Sequence, residues 1–425
     1  MLNRSVAPLA QPIKNLDLIH PEAVNHSNGL HTFLFHAEDL ELMKFEFVFE
    51  NSYDSSRIPL LNVALSSMLK EGTLTRSSAQ IADEIDFYGA YLMTEYSFDY
   101  TALSLYTIRK YADKVLPIVA DILSNSTFPQ AELDTYIRNN KQNLQIALQK
   151  NDVVARRLFY KNLFGDNQYG AVATVEDYDS IKRAQLLDLF QKQIQPKNCT
   201  LLIAGKIDND LRELVNSLFG ENWEGKQPAT HGAILLTDYS SSKLLIETKD
   251  DALQSAVRMG TYTIGRNHSD FPAVQFVNTL LGGFFGSRLM RNIREEKGYT
   301  YSIGSAVISL KHSAFMTLSS EVGVDVTKAT VVEIEREFAR LHEERTDETE
   351  IDLVRNYMQG SILGSLESIF SHVDKFKAVY FSGLDLAYYG YYQDVLRDMT
   401  PNTVQEIAMR YFDFDRMIKV IAGKY

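Results

Sequence analysis

A single cysteine, Cys199, stands in 425 residues. It excludes an internal disulfide, a CxxC redox pair and any cysteine-rich metal site. Nucleophile-elbow GxSxG, phosphate-loop GxxxxGK[ST] and dinucleotide GxGxxG patterns are missing too, which removes the commonest hydrolase and nucleotide signatures. Nine histidines are present, yet none lies in HExxH or HxxEH, the spacings that set two imidazoles on one helical face around a zinc. Basic residues are outnumbered 43 to 55, giving a net charge of −12, and no lysine/arginine cluster offers a phosphate-binding surface. Nucleic acid is therefore excluded as the principal partner. No stretch approaches eighteen uninterrupted apolar residues, so a membrane span is not expected. The opening MLNRSVAPLAQPIKNLDLIH has no signal-peptide core, which leads to the expectation of a soluble, cytoplasmic protein.

With hydrophobic residues at 45%, and Gly and Pro at only 22 and 10, the composition is that of a folded chain large enough for more than one core. An internal repeat organises it. Ile203-Ala204-Gly205-Lys206 recurs as Ile421-Ala422-Gly423-Lys424, and 421 − 203 is 218. At the same offset Glu132-Leu133-Asp134 meets Glu350-Ile351-Asp352, each opening a long helical stretch. FEFVFE (45–50) alternates as a half-buried strand, 60–70 has helical apolar spacing, 92–108 reads as a β-hairpin, and 110–123 as a helix. The fold class expected is α+β, two duplicated α/β domains with a repeat of 218 residues. Each would be a mostly antiparallel sheet with helices packed on one face. Residues 1–220 form the first domain, the Gly- and Pro-bearing 221–232 the linker, and 233–425 the second domain.

One stretch concentrates unusual residues: LLGGFFGSRLMRNIREEKGYTYSIGSAV (280–307). Gly282, Gly283 and Gly286 interrupt an apolar helical pattern, marking either a close backbone approach or a simple kink. A helix over SRLMRNIREEKG then stops at Gly298, and the strand YTYSIGSAV follows at once. Arg294, late on that helix, and Tyr301, early on that strand, could share a cleft. The ordinary alternative is an arginine paired with Glu295 or Glu296 and a tyrosine in the core.

These residues, with LKEGTLTRSSAQIADEIDFYGA (69–90), FPQAELD (128–134) and the two AGK strands, resemble the pitrilysin/insulinase family of zinc metallopeptidases, in its mitochondrial-processing-peptidase-like branch. The resemblance implies duplicated α/β units, in agreement with the repeat. In active members a helix carrying HxxEH ends before a turn that here is Glu71-Gly72-Thr73, so Val63 and Ser67 stand at the histidine ligands and Ser66 at the catalytic glutamate. The third ligand falls near Asn143, in a stretch with no acidic residue between Asp134 and Asp152. A hydrocarbon, two hydroxyls and an amide do not hold Zn²⁺. Arg294 and Tyr301, by contrast, match the family's Arg/Tyr pair, which implies peptide binding and oxyanion stabilisation. A permanently charged guanidinium and a directed phenol hydrogen bond suit developing negative charge.

What the resemblance implies is the zinc-free subunit of a heterodimeric metallopeptidase. Such a chain is inactive alone, holds no cofactor, and works with a homologous HxxEH-bearing partner that carries the zinc. Gly282, Gly283 and Gly286 would contact the peptide substrate. The alternative is a non-catalytic peptide-binding or scaffold homodimer of the same fold.

Overall fold

The computed structural model describes residues 16–53, 59–225 and 243–425. The first half runs β1 (Glu22–Asn25), β2 (His31–His36), β3 (Leu42–Glu50), α1 (Leu61–Met68), α2 (Ser78–Phe87), β4 (Tyr91–Tyr96) and β5 (Tyr100–Ile108). It continues with α3 (Ala112–Asn125), α4 (Gln130–Ala147), α5 (Asn151–Phe164), α6 (Arg183–Gln193), β6 (Cys199–Gly205) and α7 (Asn209–Val215). The second half runs β7 (Lys243–Thr248), β8 (Gln254–Tyr262), α8 (Phe271–Asn278), β9 (Thr300–Ser309), β10 (Ala314–Gly323), α9 (Thr327–Glu343) and α10 (Glu348–Gly364). Then come α11 (Ile369–Tyr380), α12 (Tyr388–Asp398), α13 (Pro401–Tyr411) and β11 (Ile418–Gly423).

Two sheets result, with strand orders β1-β2-β6-β3-β5-β4 and β7-β11-β8-β10-β9. Within each, a single pair is parallel, β2 with β6 and β7 with β11, and the rest are antiparallel. The orders superpose strand for strand once β1 is set aside. The 218-residue repeat is visible in the helix starts: α4 to α10 (348 − 130), α5 to α11 (369 − 151) and α6 to α13 (401 − 183). The fold is α+β in two domains, as the repeat predicts.

Each sheet packs most of its helices on one face. Phe45, Phe47 and Phe49 of β3 point into a core with α1, α3 and α6, because alternate residues of a strand face one way. Val257, Met259, Leu318 and Ile421 do the same in the second half. The opposite face, which the alternation in FEFVFE would leave half-exposed, is instead closed by one helix taken from the other half. Val373, Phe376 and Val379 of α11 cover Phe35, Val48 and Leu202 of the first sheet. Ala155, Phe159 and Leu163 of α5 cover Ala256, Phe315 and Val420 of the second. β3 is therefore buried on both faces, and its outward polar pair Lys44 and Glu46 is buried with it.

From residue 226 onward the expected linker 221–232 lies outside the described residues. Within the described part of that segment, Trp223 is buried in the first core, edge-on to Phe49 and Phe219. Among the described residues no helix is long and apolar enough to cross a membrane.

Candidate functional site

The segment after α8 abandons regular α geometry. Thr279–Gly283 and Met290–Glu296 are wound as π-turns, a geometry concentrated at functional sites. Gly298 (φ +67°) ends the second turn, its N–H donating to the Arg294 carbonyl at 3.2 Å, an αL cap that glycine adopts without strain. β9 begins two residues later. The helical segment is pinned from below: Arg288, buried, makes a fork to both carboxylate oxygens of Glu350 on α10 at 3.0 and 2.8 Å. Asn292 donates to Glu337 of α9 at 2.7 Å.

On this frame Arg294 lies between two aromatic rings. Its Cζ is 4.7 Å from the centroid of Phe285 and 5.1 Å from that of Tyr301. Both rings face outward, Phe285 63% and Tyr301 86% exposed. The ordinary reading of this pair as a surface ion pair and a core tyrosine does not describe the geometry. Arg294 has no ion pair among the described residues, and Tyr301 is among the most exposed aromatics of the chain. Ring faces hold a guanidinium by cation–π attraction while leaving its N–H edges free to donate. Phe285 was missed in the sequence; an aromatic set between two glycine breaks, Gly283 and Gly286, was the available signal.

The glycines divide. At Gly282 a Cβ would meet Ser305 Oγ at 2.6 Å, Leu289 Cδ1 at 2.8 Å and Ser305 N at 2.9 Å, so this residue lets the π-turn close onto β9. At Gly286 a Cβ would touch the Phe284 ring at 2.8 Å, and Gly283, exposed, has only Thr279 and Asn278 side chains at 3.2 Å and beyond.

In the first half, α1 carries the four-residue spacing of the metal motif with no metal chemistry on it. Leu61, Ala64, Leu65 and Met68 are buried in the core, Ser66 is buried beside them, and Val63 and Ser67 are half-buried. Val63 thus borders the core instead of filling it. Tyr136 of α4 has its hydroxyl pushed well above the usual tyrosine range by burial. Asn143, farther along α4, is exposed. The turn after α1 is rigid: Gly72 has φ +142°, and Asp121 of α3 accepts from Thr73 and Thr75 at 2.7 Å and from Arg76 at 2.8 Å. Among the described residues no group of three or more His, Cys, Asp or Glu side chains could hold a metal ion. Val63, Ser66, Ser67 and Asn143 supply no imidazole or carboxylate, so they do not fit zinc. Nor does the chain bring its two sites together. α1 packs on α4, α6, β4 and β5, whereas the Arg294 segment packs on β9 and α9.

Residues 64–174 match the insulinase family (peptidase family M16), and residues 180–358 match the peptidase M16 inactive domain. The chain belongs to the pitrilysin/insulinase family. An uncharacterised zinc protease of Bacillus subtilis, YmxG, is 25% identical over 313 residues, 73% of this chain and 75% of that protein. One of Rickettsia bellii is 24% identical over 351 residues, 81% and 80% of the two chains. Two solved structures share the fold. A Pseudomonas fluorescens peptidase M16 inactive domain has TM-score 0.87 and 21% identity, covering 95% of this chain and 98% of its own. A Helicobacter pylori protease has TM-score 0.86 and 16% identity, covering 96% and 100%. Within the family this chain is peptidase-like and of the inactive-domain type. Among the described residues no cluster of metal-ligating side chains accompanies that family match.

Proposed function

We propose that this chain is the non-zinc-binding subunit of a soluble, cytoplasmic, heterodimeric zinc metallopeptidase, whose partner is a homologous chain bearing HxxEH. The observation that carries the reading is the Arg294 guanidinium, without an ion pair among the described residues and held at the surface between Phe285 and Tyr301. Two ring faces hold this arginine without using up its N–H donors. Those donors, and the hydroxyl of Tyr301, point to an anion that arrives from outside. In the complex they would bind the peptide backbone and donate to the oxyanion formed at the partner's active site. Gly283 and Gly286 would let the peptide approach the backbone of the loop, with Gly282 setting that loop against β9. This chain itself supplies no metal, and peptide cleavage by it alone is not expected.

The test is kinetic and uses the assembled complex. Tyr301→Phe removes one donor and keeps the ring that holds Arg294. It should lower kcat on the order of 10²–10³, as loss of an oxyanion donor does, and leave peptide affinity nearly unchanged. Arg294→Ala should damage both. Wild-type kcat in the Tyr301→Phe complex would refute the role. Failure of the chain to co-purify with any HxxEH homologue, together with a stable homodimer, would favour the scaffold reading.

A further inference from the structure

A second site, none of whose lining residues lies in the 279–301 segment, is found where α11 and α12 meet the turn after β8. A cavity of about 370 Å³ opens there, and Arg266, Lys375, Tyr388, Tyr389 and Tyr392 face it together with Asp374. Arg266 also borders the larger cavity between the two halves.

The chemistry of this lining is one-sided. Among the described residues Arg266 Nε is buried with no hydrogen-bond partner, and the Phe271 ring is centred 6.0 Å from its guanidinium carbon. Among the described residues neither Arg266 nor Lys375 has a carboxylate at ion-pair distance. Burial lowers the Lys375 ammonium below the usual lysine range and the charge of Arg266 lowers it further, outweighing the opposite pull of Asp374. Asp374 lines the same space, but its carboxylate is taken by other cations, lying 3.4 Å from Lys44 Nζ and 3.5 Å from Lys377 Nζ. The Tyr388 hydroxyl is buried and unpartnered, while that of Tyr389 donates to the Lys375 carbonyl at 2.9 Å. Two unneutralised cations and an idle phenol therefore meet in one small space. Buried polar groups normally have partners, because leaving them without costs roughly 1–3 kcal/mol each and more when charged.

We propose that this cavity is a binding site for a compact phosphate-type dianion, either inorganic phosphate or a small phosphate monoester. Two negative charges balance the two cations. A guanidinium fork, an ammonium and a phenol, brought by a turn and two helices, suit a tetrahedral oxyanion better than a flat carboxylate. The volume leaves room beside the phosphate group for a small organic substituent.

Isothermal titration calorimetry of the full chain with inorganic phosphate, glycerol phosphate and malonate tests it, alongside thermal melting. Phosphate should give saturable binding and raise the melting midpoint with concentration, as a ligand of the native state must. Arg266→Gln should abolish the heat, and Tyr388→Phe, which removes one oxygen, should weaken binding about tenfold. Tighter binding of glycerol phosphate than of phosphate would identify the monoester as the better ligand. The proposal falls if neither phosphate compound binds, or if malonate binds as tightly. It also falls if affinity is unchanged in Arg266→Gln. Should circular dichroism show that variant unfolded, an unchanged affinity in Tyr388→Phe overturns it equally.

Discussion

Glu46 is a buried carboxylate that joins the two halves electrostatically, and its removal has a calculable cost. It sits on β3, 1% exposed, with one carboxylate oxygen 2.8 Å from Lys44 Nζ and the other 2.5 Å from Lys377 Nζ, on the helix α11 that the second half lends to the first. Burial alone would raise its carboxyl, but the two ammonium groups outweigh that and hold it below the usual carboxylate range. Burial likewise would lower Lys44, and is outweighed by Glu46 and Asp374, which leave its ammonium above the ordinary lysine value. Glu46→Gln keeps the shape and deletes the charge, leaving the buried Lys44 ammonium with only the exposed Asp374 carboxylate, 3.4 Å away. Breaking a buried pair in this way costs about 3–5 kcal/mol. With unfolding entropy of about 2.1 cal/mol/K per residue, a chain of this length changes stability by about 0.9 kcal/mol per degree, so the midpoint should fall by about 3–6 °C. Differential scanning calorimetry reads this directly. Lys44→Met with Glu46→Leu should recover most of the loss, since an apolar pair of similar volume removes both desolvation penalties. The pH dependence has a fixed sign. Because the folded pKa of Glu46 is depressed, its contribution is complete above the unfolded carboxyl value and disappears as pH falls through the folded one. The contribution of Lys44, whose folded pKa is raised, is complete below the unfolded lysine value and disappears as pH rises through the folded one. A midpoint unchanged at neutral pH in Glu46→Gln would refute the reasoning.

Gly282→Ala should destabilise the chain by about 1–3 kcal/mol through contact with Ser305 and Leu289, measured by chemical denaturation; a neutral effect would show that the π-turn is free to open. Elemental analysis after dialysis against a mild chelator should find no stoichiometric zinc, and Val63→His/Ser66→Glu/Ser67→His should remain without peptidase activity, because the position near Asn143 brings no third ligand. Cys199, buried and with its thiol pushed up by burial, should react with a thiol reagent only as fast as the protein unfolds; rapid labelling of the native chain would contradict its placement on β6.

Much of the architecture is legible in the residues, because periodicity reports local structure directly. The hairpin at 92–108, the helix at 60–70, the Gly298 stop and the 218-residue repeat all stand in the structure. What periodicity does not carry is the identity of the surface that a second face meets. Alternation in FEFVFE marks one face of β3 as core, but the burial of Lys44 and Glu46 depends on α11, which lies more than three hundred residues away. The candidate site divides on the same line. Arg294 and Tyr301 stand out by motif, whereas Phe285, which completes the clamp, shows only as an aromatic among glycines. The cations facing α12 carry no local signature, since their lack of carboxylate partners is a property of three elements meeting in space.

The lending of α5 and α11 between the halves also bears on how the chain is made. When the ribosome has finished β6, the outer face of the first sheet, with Phe35, Val48 and Leu202, is still bare, and α11 begins at Ile369. At about 5–20 residues per second, the helix that covers it emerges on the order of ten or more seconds later. During that interval the nascent first half presents an open apolar sheet face to its surroundings. A fragment ending at the halfway point would lack α11 and keep that face bare.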